Sequence, residues 1–145
     1  MRITLFTLGT RGDVQPFAIL GEALAQRGHH VTLCTAKNFK SLVESHHIHF
    51  HPVNIDSEDI INSKQGQQIM QLNLFHLSRN LKKFIHPIIK TSLNEFYKVA
   101  QESDLIIYRT KTLADVFLKD LDCPAIRAAV VPAMEETTAF INPIM

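Results

Sequence analysis

"TLGTRGDVQPF", residues 7–17, sets two glycines, an arginine, an aspartate and a proline between two apolar stretches. Before it, "RITLFTL" (2–8) is short, rich in β-branched and apolar residues, and hydrophobic on both faces, the pattern of a parallel strand covered on both sides. After it, Phe17, Leu20, Gly21, Leu24 and Ala25 recur at helical spacing, and Gly28 closes the run where a C′ glycine is expected. The stretch is therefore the tight turn of a strand–turn–helix unit.

The unit repeats along the chain. "HVTLCTA" (30–36) reads as the next strand, followed by a short helix through Phe39, Leu42 and Val43. "IHFHPV" (48–53) gives a third strand, and Pro52 makes it short or places it at a sheet edge. Residues 54–63 are polar and loop-like. From Lys64 to about Ser103 the pattern is helical, with Ile69, Leu72, Leu77, Leu81, Phe84 and Ile85 on one side. Pro87 is expected to break or kink that run, a second helix continuing through Ile88, Leu93, Phe96, Tyr97 and Ala100. "DLIIY" (104–108) is a fourth strand, and Thr112 followed three residues later by Asp115 has the spacing of a capping box ahead of a helix over "VFLKDL". "PAIRAAVV" (124–131) makes a fifth strand, and the tail "PAMEETTAFINPIM" reads as a loop.

Strands alternating with helices predict an α/β fold: a Rossmann-like, doubly wound parallel sheet in three α/β/α layers with right-handed crossovers. The expected strand order is 3-2-1-4-5. In such sheets ligands bind at the carboxyl ends of the strands near the switch point, here between strands 1 and 4, and the opening turn lies at that crevice.

The bulk composition excludes several classes. A length of 145 residues and 46% apolar content suit one domain with one core. Fifteen basic and fourteen acidic residues leave a net charge of +1 with no long block of like charge, so nothing calls for nucleic acid or an anionic membrane. Cys34 and Cys123 lie far apart and form no CxxC pair, reading as buried thiols of a reducing compartment. No apolar run reaches the ~18 residues of a membrane span, and the start meets Gly, Arg and Asp too early for a signal-peptide core. The expected location is the cytoplasm.

The turn has chemistry of its own. Gly9 and Gly12 allow unusual φ values and close approach of a ligand. The helix N-terminus that follows favours anions, and Arg11 adds a cation, so a phosphate or diphosphate would be stabilised there. The spacing is neither GxGxxG nor GxxxxGK[ST], so it carries neither a dinucleotide fingerprint nor a P-loop. Asp13 has two readings. It could cap the helix, although Pro16 removes the N–H that a cap at this position would want at N3. Or it could serve as a general base at the crevice, accepting the proton of an attacking hydroxyl. "RGD" (11–13) also occurs in cell-adhesion ligands, but three residues recur by chance and no secretion signal accompanies them.

Other constellations have structural readings. In "HHIHFH", His47, His49 and His51 alternate and would share one face of an extended strand; metal sites gather ligands from several elements, so these are read as polar residues at a strand edge and no metal site is expected. His29 and His30 follow a helix-ending glycine, where the dipole favours them. The apolar side of 69–85 reads as core or interface, or as a hydrophobic groove, and Glu135 and Glu136 as part of a solvated loop.

"GTRGDVQPFAILGEALAQRGHHVTLCT" closely resembles the start of the amino-terminal domain of two-domain glycosyltransferases of the GT-B fold, above all the bacterial antibiotic and lipid glycosyltransferases and the sterol 3-β-glucosyltransferases. "HIHFHPV", "LADVFLKDLDCPAI" and "TTAFINP" resemble the family's third strand, its helix leading to a Pro-preceded strand, and its acceptor loop, so the resemblance covers most of the chain. It implies one half of a GT-B fold and an inverting transfer of a hexose from a nucleotide sugar, UDP- or dTDP-linked, to a hydroxyl of a hydrophobic acceptor such as a sterol, lipid or polyketide. By the resemblance Asp13 of the G-D-V-x-P motif is the base, Thr10, Arg11 and Gly12 lie against the donor diphosphate, and no metal or other cofactor is needed. Related plant-type enzymes carry a histidine at the position of Asp13. The resemblance further implies acceptor contacts from the helical segment with Leu72 and Phe75, from the turn at Thr110, and from the tail at Phe140.

The family's second, donor-binding domain with its histidine- and glycine-rich motif has no counterpart before Met145. The expectation is that residues 1–145 form the acceptor-binding half and transfer no sugar alone, because half a cleft cannot hold both reactants. An exposed apolar face would then serve the missing domain, a dimer or a peripheral membrane contact. The alternative is a binding module of the same fold without catalysis, alone or with a separate partner chain; an unrelated nucleotide-binding Rossmann-type enzyme ranks last, for want of GxGxxG.

Overall fold

The computed structural model describes residues 1–54, 80–109, 112 and 114–130, with the side chains of 80–88 outside the description. Among the described residues ten elements follow one another: β1 (Arg2–Phe6), α1 (Arg11–Gln26), β2 (His30–Ala36), a 3₁₀ turn (Lys37–Phe39), α2 (Lys40–Ser45), β3 (His49–Val53), α3 (Asn80–Ala100), β4 (Leu105–Arg109), α4 (Asp115–Leu118) and β5 (Ala125–Ala128). All strand pairs are parallel, and the sheet order is β3-β2-β1-β4-β5, the expected one. The fold is the α/β, Rossmann-like doubly wound sheet that the strand–helix alternation predicts.

Central β1 is buried on both faces from Ile3 to Phe6 because each face meets a layer of helices. On one side Ile3 and Leu5, with Val31 and Leu33 of β2, pack against Val14, Phe17 and Ala18 of α1 and Val43 of α2. On the other, Phe6, Cys34 and Ile106 pack against Phe96 and Ala100 of α3 and Phe117 of α4. The Phe6 and Phe96 rings stack with centroids 4.5 Å apart, and Phe117 meets Phe6 edge-on at 6.3 Å. Burial of this kind is worth roughly 1.5–3 kcal/mol for each such side chain, so these two layers are what hold the sheet.

Helix α1 sits close to the sheet at Gly21, where an added Cβ would lie 2.7 Å from Ile48 Cδ1 and 3.0 Å from Leu5 Cδ1. The helix ends in a Schellman motif: the N–H of Gly28 donates to the Ala25 carbonyl at 2.9 Å, and that of His29 to the Leu24 carbonyl at 3.3 Å. Gly28, at φ +85, is the expected C′ residue.

Several expectations are corrected. The turn after β1 is shorter than the sequence pattern implies, because α1 begins at Arg11 and carries Pro16 inside it. Proline there removes only a bond to the carbonyl of Gly12, in the exposed first turn. Likewise α3 runs unbroken through Pro87 from Asn80 to Ala100, so no helix boundary falls there. Thr112 and Asp115 do not form a capping box: Ala114 stands at the N-cap of α4, and Thr112 Oγ1 donates instead to the Arg109 carbonyl at 2.7 Å. Asp115 accepts the Tyr108 hydroxyl.

The fifth strand is shorter than 124–131 and differs in burial. Ala125, Ile126 and Arg127 are exposed, and no further described strand pairs with the outer edge of β5. Its apolar composition suits a strand covered on both sides, and that cover is not supplied by the described residues.

Candidate functional site

Parallel pairing of β1 with β4 sets Phe6 beside Tyr108, so the turn that leaves β1 and the last residue of β4, Arg109, emerge together at the carboxyl edge of the sheet. This is the switch point at which the strand order reverses. Asp13 occupies the third position of α1 and folds back over the turn.

Both carboxylate oxygens of Asp13 are engaged. Oδ2 accepts the backbone N–H of Thr10 at 2.8 Å and the Thr10 hydroxyl at 3.2 Å. Oδ1 faces Nη2 of Arg109 at 2.5 Å. The Thr7 hydroxyl donates to the Asp13 carbonyl at 3.1 Å, tying the first helical turn to the end of β1. The capping reading of Asp13 is therefore corrected in direction: Thr10 is the N-cap, and Asp13 caps backwards from N3, as an acidic residue there does in a capping box. Pro16 does not interfere with that contact.

The ion pair is asymmetric. The Arg109 side chain is 3% exposed and that of Asp13 20%, so the carboxylate forms the accessible member with the guanidinium behind it. Arg109 Nη1 donates to the Leu8 carbonyl at 3.1 Å, and its Nε is buried without a hydrogen-bond partner among the described residues. An ionised carboxylate offers about four acceptor sites. Among the described residues two are taken on Oδ2 and one on Oδ1, which leaves one on Oδ1.

The glycines divide the work. Gly9 lies at φ +136, and a Cβ there would overlap the Asp13 carboxylate, so this glycine makes room for the fold-back. Gly12 does not need the unusual φ expected of it: it is helical, and an added Cβ would find only Thr10 Oγ1, at 3.8 Å. The first turn of α1 thus presents an open surface. Thr10, Arg11 and Gly12 are exposed on it, and Arg11 Nε donates along the helix to Gln15 at 3.2 Å.

Of the other sequence-predicted residues, Leu72, Phe75, Thr110 and Phe140 lie outside the described residues, as do Glu135 and Glu136. The histidines take separate roles. His47 precedes β3 in a left-handed turn at φ 55, His49 stacks on His30 at 4.2 Å, and His51 Nε2 lies 3.3 Å from Glu95. Among the described residues no three His, Cys, Asp or Glu side chains gather as metal ligands would. Glu95 also accepts from Lys98 at 2.8 Å; that bond foremost, with His51 adding to it, holds the carboxyl below its ordinary value against the opposing effect of partial burial. Both cysteines are free thiols. No described helix is long and apolar enough to cross a membrane.

Arg109 is the residue that the sequence reading missed. The available signal was a single cation closing the apolar run "LIIY" at the carboxyl end of the strand expected beside β1.

A parallel five-stranded sheet in this order, with an acid folded over its first strand–helix turn at the switch point, defines a Rossmann-like domain. The chain belongs to the family described as the glycosyltransferase family 28 N-terminal domain, whose model matches residues 3–119. It is similar to a sterol 3-beta-glucosyltransferase of Sclerotinia sclerotiorum, 30% identical over 134 residues that make up 91% of this chain and 9% of that protein. A sterol 3-beta-glucosyltransferase of Pichia angusta is 28% identical over 133 residues, 90% of this chain and 10% of that one. In structure it resembles the glycosyltransferase SnogD of Streptomyces nogalater, with a TM-score of 0.62 at 16% identity over 92% of this chain and 35% of that one. The chain spans about a tenth of the length of the curated relatives it matches.

Proposed function

We propose that this domain is the acceptor-binding half of a nucleotide-sugar-dependent glycosyltransferase, with Asp13 as its general base. The observation that carries the reading is the partly exposed Asp13 carboxylate at the β1/β4 crevice, fixed from behind and with one acceptor position on Oδ1 unfilled among the described residues. Geometry comes before acidity in choosing a base, and this carboxylate is partly open to solvent at the crevice.

In the proposed reaction a hydroxyl of the acceptor donates its hydrogen bond to Asp13 Oδ1. The hydroxyl oxygen attacks the anomeric carbon of the donor sugar from the face opposite the diphosphate. The new C–O bond forms as the bond to the diphosphate oxygen breaks, the proton passes to Asp13, and the nucleoside diphosphate leaves with the electron pair. Inversion follows from the opposite-face attack. Charge developing on the diphosphate is met by the exposed N-terminus of α1 and by Arg11, with Thr10 and Gly12 allowing close approach; no metal enters this scheme. The donor is a UDP- or dTDP-hexose and the acceptor a hydrophobic alcohol, a sterol before other lipids or polyketides, since the relatives named above are sterol glucosyltransferases.

Catalysis needs both reactants held in one geometry, so residues 1–145 alone are expected to transfer no sugar. The exposed apolar residues Ile126 of β5 and Val116 of α4 favour a surface that further protein covers; this observation also suits the second reading, a binding module that works with a partner chain. The deciding experiment offers UDP- and dTDP-sugars and sterol, lipid and polyphenol acceptors to residues 1–145 and to the protein as its gene encodes it, each with and without Asp13→Asn. Transfer by the encoded protein that falls with Asp13→Asn supports the reading. Ligand binding with no transfer by any form moves the assignment to the binding module, and robust transfer by residues 1–145 alone refutes the half-site expectation.

A further inference from the structure

We propose that Arg109 is a positioning residue for the reaction, holding the Asp13 carboxylate in the one orientation that leaves an Oδ1 acceptor position open to the incoming hydroxyl. This rests on the reading of Asp13 as the base. Three features of the pair point to it. First, Arg109 is held at both ends: in the guanidinium Nη1 is anchored on the Leu8 carbonyl at 3.1 Å and Nη2 meets Asp13 Oδ1 at 2.5 Å, and in the main chain its carbonyl accepts the buried Thr112 hydroxyl at 2.7 Å. Second, Arg109 is buried behind Asp13, which is the more exposed of the two, so it acts on a substrate only through the carboxylate.

Third, the arrangement is poorly suited to stability alone. Tyr108 and Ile107 before Arg109 are buried, and an apolar residue at the end of β4 would continue that core. The chain instead buries a cation and leaves its Nε without a partner among the described residues. A buried ion pair is often matched or bettered by apolar side chains of similar volume, and an unmade hydrogen bond adds a further cost. What the cation supplies is direction. Thr10 holds Oδ2, and without a second anchor the carboxylate could turn about that contact and move Oδ1 away from the crevice.

The test compares Arg109→Met, Arg109→Lys, Asp13→Asn and the double variant Asp13→Asn/Arg109→Met in the protein as its gene encodes it, reading kcat and KM for donor and acceptor separately. A misplacement of about 1 Å costs on the order of 10²-fold in rate, and a general base contributes about 10²–10⁴-fold. Arg109→Met is therefore expected to lower kcat by roughly 10–100-fold with KM for both substrates unchanged. The double variant should be no slower than Asp13→Asn, because a positioning residue has nothing left to position. Added guanidinium ion, below denaturing concentration, should restore rate to Arg109→Ala and not to Asp13→Ala. Should Arg109→Met not fold, Arg109→Lys decides: it keeps the charge, loses the fork, and is expected to fold with lowered kcat. Unchanged kcat in the folded arginine variants, or losses that multiply in the double variant, would overturn the positioning role while leaving Asp13 as base. Full activity in Asp13→Asn would overturn the base reading and the positioning role with it.

Discussion

Gly9 and Asp13 occupy each other's space by design of the turn: a Cβ on Gly9 would lie where the Asp13 carboxylate sits. The glycine has two separable reasons to be there. Its φ of +136 is one that L side chains rarely adopt, and its missing side chain admits the carboxylate that reaches back to the Thr10 N–H.

Gly9→Ala is expected to destabilise the domain by about 1–3 kcal/mol from backbone strain alone, with the steric conflict added. Asp13→Ala in the Gly9→Ala background should relieve the conflict and leave the strain. Urea unfolding of the two single variants and the double variant separates the terms. Because Asp13→Ala also unpairs Arg109, the conflict is read as the non-additive part of the cycle, and additive losses would mean that the carboxylate yields without cost.

A second close approach makes an independent prediction. Gly21→Ala pushes a methyl against Ile48 Cδ1 and Leu5 Cδ1, both ends of flexible side chains, at a cost of roughly 1–3 kcal/mol for overpacking. Ile48→Val removes the nearer of those atoms. The double variant Gly21→Ala/Ile48→Val is expected to be more stable than the sum of the single losses, measured by a double-variant cycle in urea. Additive losses would show that the helix shifts as a body instead.

The element order and the strand order were legible because they depend on patterns within short windows, apolar strands and helical periodicity, together with the rule of right-handed crossovers. Boundaries at prolines were not. Pro16 and Pro87 both lie inside helices, where the pattern anticipated a turn and a break; at Pro16 the missing N–H deprives only the carbonyl of Gly12, an exposed residue. The capping box at Thr112 failed because Arg109 and Tyr108, at the end of the strand just before it, claim the two side chains that the spacing assigned to each other. Asp13 could be singled out from the turn itself. Its partner could not, because Arg109 reaches it only through β1–β4 pairing, a contact between distant parts of the chain that no local window contains.

Two carboxylates make the acid limb of stability predictable. Lys98 foremost, then His51, holds Glu95 below its ordinary value of 4.5. The Arg2 backbone N–H foremost, then its side chain, holds Asp104 below 3.8. Groups depressed on folding stabilise the fold above their unfolded values and lose that contribution as pH falls through the folded ones. Stability should therefore be flat at neutral pH with respect to these groups and decline below about pH 4.5, Glu95 first. Glu95→Gln and Asp104→Asn are each expected to make the decline shallower, read from urea midpoints across the acid range. A decline of unchanged steepness in both variants would assign the acid limb to other groups.

The two thiols should differ in reactivity because thiolate, the reactive form, is disfavoured in both but accessible in only one. Burial in the core beside Phe6 and Phe96, with the charge of Glu95 adding to it, pushes Cys34 well above 9.0. Cys123 is raised too, by burial first and by Asp104 and Asp122 after it, but it is partly exposed and donates to the Ser103 carbonyl at 3.2 Å. A thiol-specific disulfide reagent at neutral pH is expected to modify Cys123 slowly, and Cys34 only at the rate at which the sheet opens. Peptide mass spectrometry after graded exposure distinguishes the sites. Adding urea below the unfolding transition should speed Cys34 far more than Cys123, since only the former needs the α3 layer to lift from β1 and β2. Labelling of Cys34 in step with Cys123 in native buffer would mean that this layer opens far more readily than its stacked phenylalanines imply.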